Sequence, residues 1–512
     1  MKPLLPILLG LALLAACPQD ARSQVGRPPA ATASPYNEPH RPRVHFSPPA
    51  RWMNDPNGMV FFNNRYHLFY QYYPDSTVWG PMHWGHAESA DLVHWQHRPV
   101  ALYPDSLGYI FSGSAVVDRD NTSGFGKGGK PPLVAIFTHH DPKGEKEGRN
   151  DFQVQSLAYS LDEGKTWTKY AGNPVLPNPG IRDFRDPKVM WYEAGKKWIM
   201  TLATLDRITF YASPDLKSWT RESDFGKDIG AHGGVWECPD LFPLEYKGKT
   251  VWVLLVSINP GGPNGGSATQ YFTGSFDGRS FRPSDTLTRW VDYGPDNYAG
   301  VTWSHTGKRK IFLGWMNNWQ YANVVPTQNW RGAATLPRDL GLEKIGAQYF
   351  LTSRPVAALR KLEAGAPVPV PAGSPAPSGS LRGPARLELS GTAAETFALT
   401  FSNAKGDSLV IGYDAASRQY YIDRTHSGQT DFEKGFARRH TAPRISGAAR
   451  WDMTVILDQA SVELFADGGL TAMTAVFFPQ EPLRSWKLRS PRRLPVRVTQ
   501  VPLSSIWDRR GH

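Results

Sequence analysis

Three carboxylates stand in settings that an ordinary surface acid does not occupy. Asp55 lies in Arg51-Trp52-Met53-Asn54-Asp55-Pro56-Asn57-Gly58, followed by proline and flanked by asparagines, which favours a fixed turn over a solvated strand face. Asp186 also precedes a proline, in Asp183-Phe184-Arg185-Asp186-Pro187, and Glu237 sits between Trp236 and Cys238-Pro239-Asp240. An indole and a thiol are apolar neighbours for a glutamate, so they are expected to disfavour its charged form and raise its pKa. One carboxyl kept protonated beside one kept ionised is what cleavage of an acetal between sugars demands. Taken singly, each segment reads more simply as a turn. Only the combination points to a site.

Those acids must be held by strands. Val60-Phe61-Phe62, Tyr66-His67-Leu68-Phe69-Tyr70, Leu133 to Phe137, Lys197 to Leu202 and Val251 to Val256 are short apolar or aromatic runs bounded by Gly, Pro, Asn and Asp. No long stretch has helical periodicity, so the chain reads as all-β. A Ser-x-Asp turn ahead of an aromatic residue recurs at Ser89/Asp91/Trp95, Ser160/Asp162/Trp167, Ser213/Asp215/Trp219 and Ser275/Asp277/Phe281. One such turn per four-stranded unit predicts a β-propeller, whose innermost strands converge on a central cavity. Residues 363–380 are rich in Pro, Ala and Gly and read as a linker. Further short strands follow, among them Phe397 to Phe401, Met453 to Leu457 and Val462 to Phe465, and their spacing suggests a β-sandwich beginning near residue 381.

At 512 residues the chain is long enough for two domains, and 40% hydrophobic with 20% charged residues is a globular composition. The net charge of +11 is scattered, with no basic run, basic helix or nucleic-acid motif, so it reads as solvated surface and nucleic acid is not an expected partner. Leu4 to Ala16 is an apolar stretch too short to span a membrane and reads as a signal peptide over residues 1–16. Its end, Leu14-Ala15-Ala16-Cys17, resembles a bacterial lipobox, which implies lipid attachment at Cys17 and a flexible tether over 17–38. Ordinary cleavage beyond Ser23, discarding Cys17, is the alternative. Contact with a membrane is expected through that anchor alone. Cys238 is the one other cysteine, so an acylated mature chain has no internal disulfide. His83 and His86 could suggest a metal pair, but no carboxylate stands at a suitable spacing. A hydrogen-bonded structural role is preferred, and neither a metal nor a cofactor is expected.

Trp52-Met53-Asn54-Asp55-Pro56-Asn57-Gly58, Phe184-Arg185-Asp186-Pro187 and Trp236-Glu237-Cys238-Pro239-Asp240 resemble, in order, the three signature blocks of glycoside hydrolase family 32, the invertases, inulinases and levanases. Gln71, Trp79-Gly80-Pro81-Met82-His83-Trp84-Gly85-His86, Phe111-Ser112-Gly113-Ser114 and Leu313-Gly314-Trp315-Met316 extend the similarity. The resemblance implies a five-bladed β-propeller catalytic domain over 39–362 followed by a C-terminal β-sandwich over 381–508. It implies Asp55 as nucleophile, Glu237 as general acid/base and Asp186 as a grip on two ring hydroxyls of a fructosyl unit. Trp52, Asn54, Gln71, Trp79, Phe111, Ser112, Arg185 and Trp315 are implied as substrate-binding residues, and Cys238 as a tuner of Glu237. Retention of configuration follows, with the carboxyls of Asp55 and Glu237 expected roughly 5 to 5.5 Å apart. The first reading is an exo-acting enzyme that takes β-linked fructose from levan or inulin. A sucrose hydrolase is the runner-up, and a non-catalytic fructan-binding lipoprotein is the alternative of another class. Exo versus endo attack depends on the loops around the cavity mouth.

Overall fold

A computed structural model describes residues 36–370, 377–490 and 496–507. The signal peptide, Cys17 and most of the expected tether therefore lie outside the described residues. Five antiparallel sheets follow one another along the chain. Blade one holds Arg51–Phe62, Arg65–Tyr73, His83–Ser89 and Gln96–Leu102, and Trp330–Arg331 runs parallel to its first strand. Blade two holds Tyr109–Val117, Leu133–His140, Gln153–Ser160 and Thr168–Lys169. Blade three runs from Phe184–Tyr192 to Thr220–Phe225, and blade four from Val235–Tyr246 to Phe281–Pro283, with Arg289–Trp290 paired on its third strand. Blade five holds Tyr298–Thr302, Lys310–Trp315, Arg338–Ile345 and Gln348–Pro355. The first strand of each blade packs against the first strand of the next, and that of blade five against that of blade one. The ring closes. This is the five-bladed propeller that the repeat and the family resemblance imply.

Middle strands are buried on both faces because both meet neighbouring blades: all eight residues of Leu133–His140 are buried, the polar Thr138, His139 and His140 among them. The Ser-x-Asp repeat proves to be one turn used four times, joining the third and fourth strands of blades one to four. In each copy the aspartate Oδ1 accepts main-chain N–H groups: those of Val93 and His94 on Asp91, Thr166 on Asp162, Lys217 and Ser218 on Asp215, and Arg279 and Ser280 on Asp277. A short acceptor at that position supplies the bonds the sheet cannot, which is why the signature survives while the strands around it vary.

The remaining chain forms two packed six-stranded sheets, the expected sandwich. The stretch 363–380 is more than a connector. Val368–Val370 adds an edge strand to one sheet and Ser378–Ser380 to the other, since alternating Val-Pro-Val and Ser-Gly-Ser can pair at an edge where proline's missing N–H is harmless. Likewise Tyr36, at the end of the expected tether, stacks on Trp507 with ring centroids 4.0 Å apart, and its hydroxyl shares a hydrogen bond with His97 Nε2 at 2.7 Å. A buried ionic network joins propeller and sandwich. His45 lies between Asp458 (2.8 Å) and Glu463 (2.9 Å), while Arg338 reaches both Glu463 and Asp292. Removing one member would strand a desolvated charge, so the network pins blade five to the sandwich with a fixed geometry. Among the described residues no helix is long and apolar enough to cross a membrane.

Candidate active site

Every blade interrupts its innermost strand near the same end of the central channel. The ladder between first and second strands slips between Met53 and Pro56 in blade one, Ile110 and Gly113 in blade two, and Glu237 and Asp240 in blade four. It slips likewise opposite Arg185 to Lys188 in blade three and between Tyr298 and Val301 in blade five. Within those slips Asp186 (φ 64°), Cys238 (φ 44°) and Ala299 (φ 53°) adopt left-handed backbone that non-glycine residues avoid. A bulge re-aims side chains that strict alternation would send into the blade. Gly113 is required here for another reason: a Cβ at that position would lie 2.1 Å from the carbonyl oxygen of Ile136. Proline after Asp55, Asp186 and Cys238 fits the same positions, because it has no N–H to lose from a broken ladder.

The bulges bring the three acids to one cavity of about 350 Å³. Asp55 accepts from Asn54 Nδ2 on Oδ1 (3.0 Å) and from Ser112 Oγ on Oδ2 (2.8 Å), and the Cys238 thiol lies 3.4 Å from Oδ2. Burial raises the Asp55 pKa and so does the Glu237 carboxylate, while those three donors oppose the rise. Asp186 accepts the Cys238 main-chain N–H on Oδ2 at 3.0 Å, with the thiol 3.6 Å away. Burial pushes Asp186 up to about 7, against the pull of Arg185 and with the repulsion of Glu237 and Asp55. Arg185 donates from Nε and Nη2 to Glu237 Oε1, each at 3.1 Å, and from Nη1 to Asp183 at 2.6 Å. Tyr298 donates its hydroxyl to Glu237 Oε2.

Asn54, Gln71, Trp79, Phe111, Ser112 and Arg185 line this cavity with the three acids, as expected from the sequence. Trp79 is 38% exposed at the rim, its main-chain N–H bound to Asn323 and its ring edge-on to Phe111 at 6.1 Å. Gln71 Nε2 is buried with no protein acceptor among the described residues, a donor ready for a ligand hydroxyl. Two expectations are corrected. Trp52 and Trp315 are fully buried and do not line the cavity; both pack around Trp319 (5.9 and 4.9 Å), which does. Trp52 acts from behind, donating its indole N–H to Asn54 at 2.7 Å. The apolar setting expected for Glu237 is also absent. Trp236 points to the opposite face, its indole N–H on the Ala231 carbonyl, and the carboxylate meets a guanidinium and a phenol instead.

Sequence reasoning missed Asp183, His140, Glu145, Gln153, Asn259, Trp319 and Asn323 on the walls, and Tyr298 behind Glu237. Asp183 and Trp319 were within reach, one in the Arg185 block and the other four residues past Trp315. The others come from strand ends, the short helix Pro142–Lys146 and loops outside the motif blocks.

Cys238 reads as a donor, not a nucleophile. Burial first, then the charges of Asp186, Asp55 and Glu237, push its thiol well above the usual value. Iodoacetamide is expected to leave the folded protein active and Cys238 unmodified by peptide mass mapping. Cys238→Ala, which removes a donor to two carboxylates, is expected to lower kcat about tenfold.

The chain matches two family models, the glycosyl hydrolases family 32 N-terminal domain over residues 45–355 and the family 32 C-terminal domain over 357–500. It is 45% identical to a levanase of Bacillus subtilis over 502 residues, covering 93% of this chain and 72% of that protein. It is 40% identical to an extracellular exo-inulinase of Aspergillus niger, covering 92% of this chain and 96% of that protein. Among solved structures, exo-inulinase from Aspergillus awamori superposes with a TM-score of 0.85 at 38% identity, over 92% of this chain and all of that one. A β-fructofuranosidase from Schwanniomyces occidentalis complexed with fructosyl-erythritol gives 0.84 at 32% identity, over 92% and 99%. With both family models and nearly the whole length accounted for, the chain belongs to glycosyl hydrolase family 32.

Proposed function

We propose that the protein releases β-linked fructose from the ends of fructans, levan and inulin, by a double displacement that retains configuration. The observation that carries the reading is the convergence of Asp55, Asp186 and Glu237 on a single cavity. Asp55 attacks the anomeric carbon, and the bond to the leaving oxygen breaks as Glu237 delivers it a proton. Water then attacks the same carbon, giving a proton back to Glu237 and freeing Asp55. Donors from Asn54 and Ser112 favour the ionised nucleophile and orient it. Asp186 Oδ1 has no donor among the described residues, which suits a grip on sugar hydroxyls that tightens as the ring flattens toward an oxocarbenium ion.

Attack at chain ends is supported by the relatives and the solved structure named exo-inulinase. The named activities of the levanase and exo-inulinase relatives support a fructan substrate. A Bombyx mori β-fructofuranosidase variant solved in complex with sucrose keeps sucrose as a second substrate. Export fits the relatives named extracellular, and a lipid anchor at Cys17 is part of the proposal. The product profile tests the reading. Levan and inulin are each expected to yield free fructose alone from the earliest time point, as the β-anomer by NMR. Short oligosaccharides would refute exo attack, α-fructose would refute retention, and turnover of sucrose only would refute the fructan assignment.

A further inference from the structure

The sequence favours a hydrogen-bonded role for His83 and His86 over a metal pair. His83 is turned to the Pro81 carbonyl at 2.9 Å. His86 instead meets His67 from the neighbouring strand of blade one, because the antiparallel register sets His67 opposite Glu88 and Phe69 opposite His86. With side chains alternating, His67, His86 and Glu88 share one face of the sheet. All three are buried, at 2%, 2% and 8% exposure.

His67 Nδ1 lies 3.2 Å from His86 Nε2, and Glu88 Oε1 lies 3.7 and 3.8 Å from those two nitrogens. A single point about 2.1 Å from all three atoms satisfies those separations, and this is the bond length zinc makes to imidazole and carboxylate. A hydrogen bond between the imidazoles would explain the 3.2 Å contact alone. It would leave Glu88 Oε1 beyond hydrogen-bond reach of both nitrogens. The rest of the surroundings suits a metal. Arg98 takes the other carboxylate oxygen at 2.9 Å, which fixes Oε1 in place, and Phe69 stacks on the His86 ring at 4.3 Å. Gly164, from the Ser160 turn of blade two, has no side chain where a Cβ would stand 3.3 Å from His67 Nδ1, leaving room for a water as fourth ligand.

We propose that His67, His86 and Glu88 hold a structural zinc ion that clamps the second and third strands of blade one where blade two packs on them. His67 is four residues from Gln71 along its strand, about 13 Å, so the ion is no part of the hydrolytic step.

The untagged full chain, stripped with chelator, reloaded with zinc chloride and desalted, is expected to retain one zinc per chain by elemental analysis. Its melting temperature should rise on reloading. Glu88→Gln, nearly isosteric and still able to accept from Arg98, and His86→Ala should both retain zinc only at background and lose the shift, while His83→Ala keeps both. X-ray absorption of the zinc form should show nitrogen and oxygen neighbours at about 2.0 to 2.2 Å. Hydrolysis by Glu88→Gln at wild-type rate shows that this variant is folded. No zinc retained by the wild type, or equal zinc retained by Glu88→Gln, would overturn the proposal.

Discussion

Asp55→Asn is expected to lower kcat on inulin and levan by at least about 10⁴-fold. The amide matches the carboxylate in size but has no charge with which to attack the anomeric carbon. It also turns an acceptor into a donor beside Asn54 Nδ2 and Ser112 Oγ, both of which now donate to Asp55. Binding should survive, because Gln71, Trp79 and Asp186 are untouched on the cavity wall. Fructose binding, followed through the fluorescence of Trp79 and Trp319, separates a lost chemical step from a lost site. A variant within tenfold of wild type would remove Asp55 from the nucleophile's role.

Glu237→Gln is the second large effect, a loss of about 10² to 10⁴ on natural fructans. Its diagnostic is the dependence on leaving group. A fructoside whose leaving group is a nitrophenol departs as an anion without needing a proton, so its first step should be largely spared. The Asp55 variant should be equally inactive on both kinds of substrate. The contrast assigns the roles without assuming them from position. Equal losses by Glu237→Gln on activated and natural substrates would argue that Glu237 only supports Arg185, to which it is bonded at 3.1 Å.

The two indole corrections have a common cause. Trp315 and Trp319 are both near blade five's second strand, and nothing in their composition tells which reaches the cavity. Trp315 sits within the strand Lys310–Trp315 and is fully buried, whereas Trp319 lies on the turn just after it and lines the wall. Trp52 likewise supports Asn54 from beneath. Glu237 shows the limit of reading neighbours along the chain, since Trp236, one position before it in the strand, points to the other face. Its true partners, Arg185 and Tyr298, are 52 and 61 residues distant.

The amino-acid sequence by itself determined what is local. Runs of apolar residues specify strands, an aspartate acceptor specifies the turn that recurs in four blades, and the three motif blocks specify which carboxylates matter and in what order. Tertiary structure alone decided where the side chains point. Slips at Asp55, Ser112, Asp186, Cys238 and Ala299 arise only when each inner strand is paired with its neighbour and closed into a ring. The meeting of His67 with His86 and Glu88 is likewise a product of register. The physical reason is the two-residue repeat of a strand: one extra residue in a ladder reverses every side chain beyond it, and the partner strand determines where that residue goes.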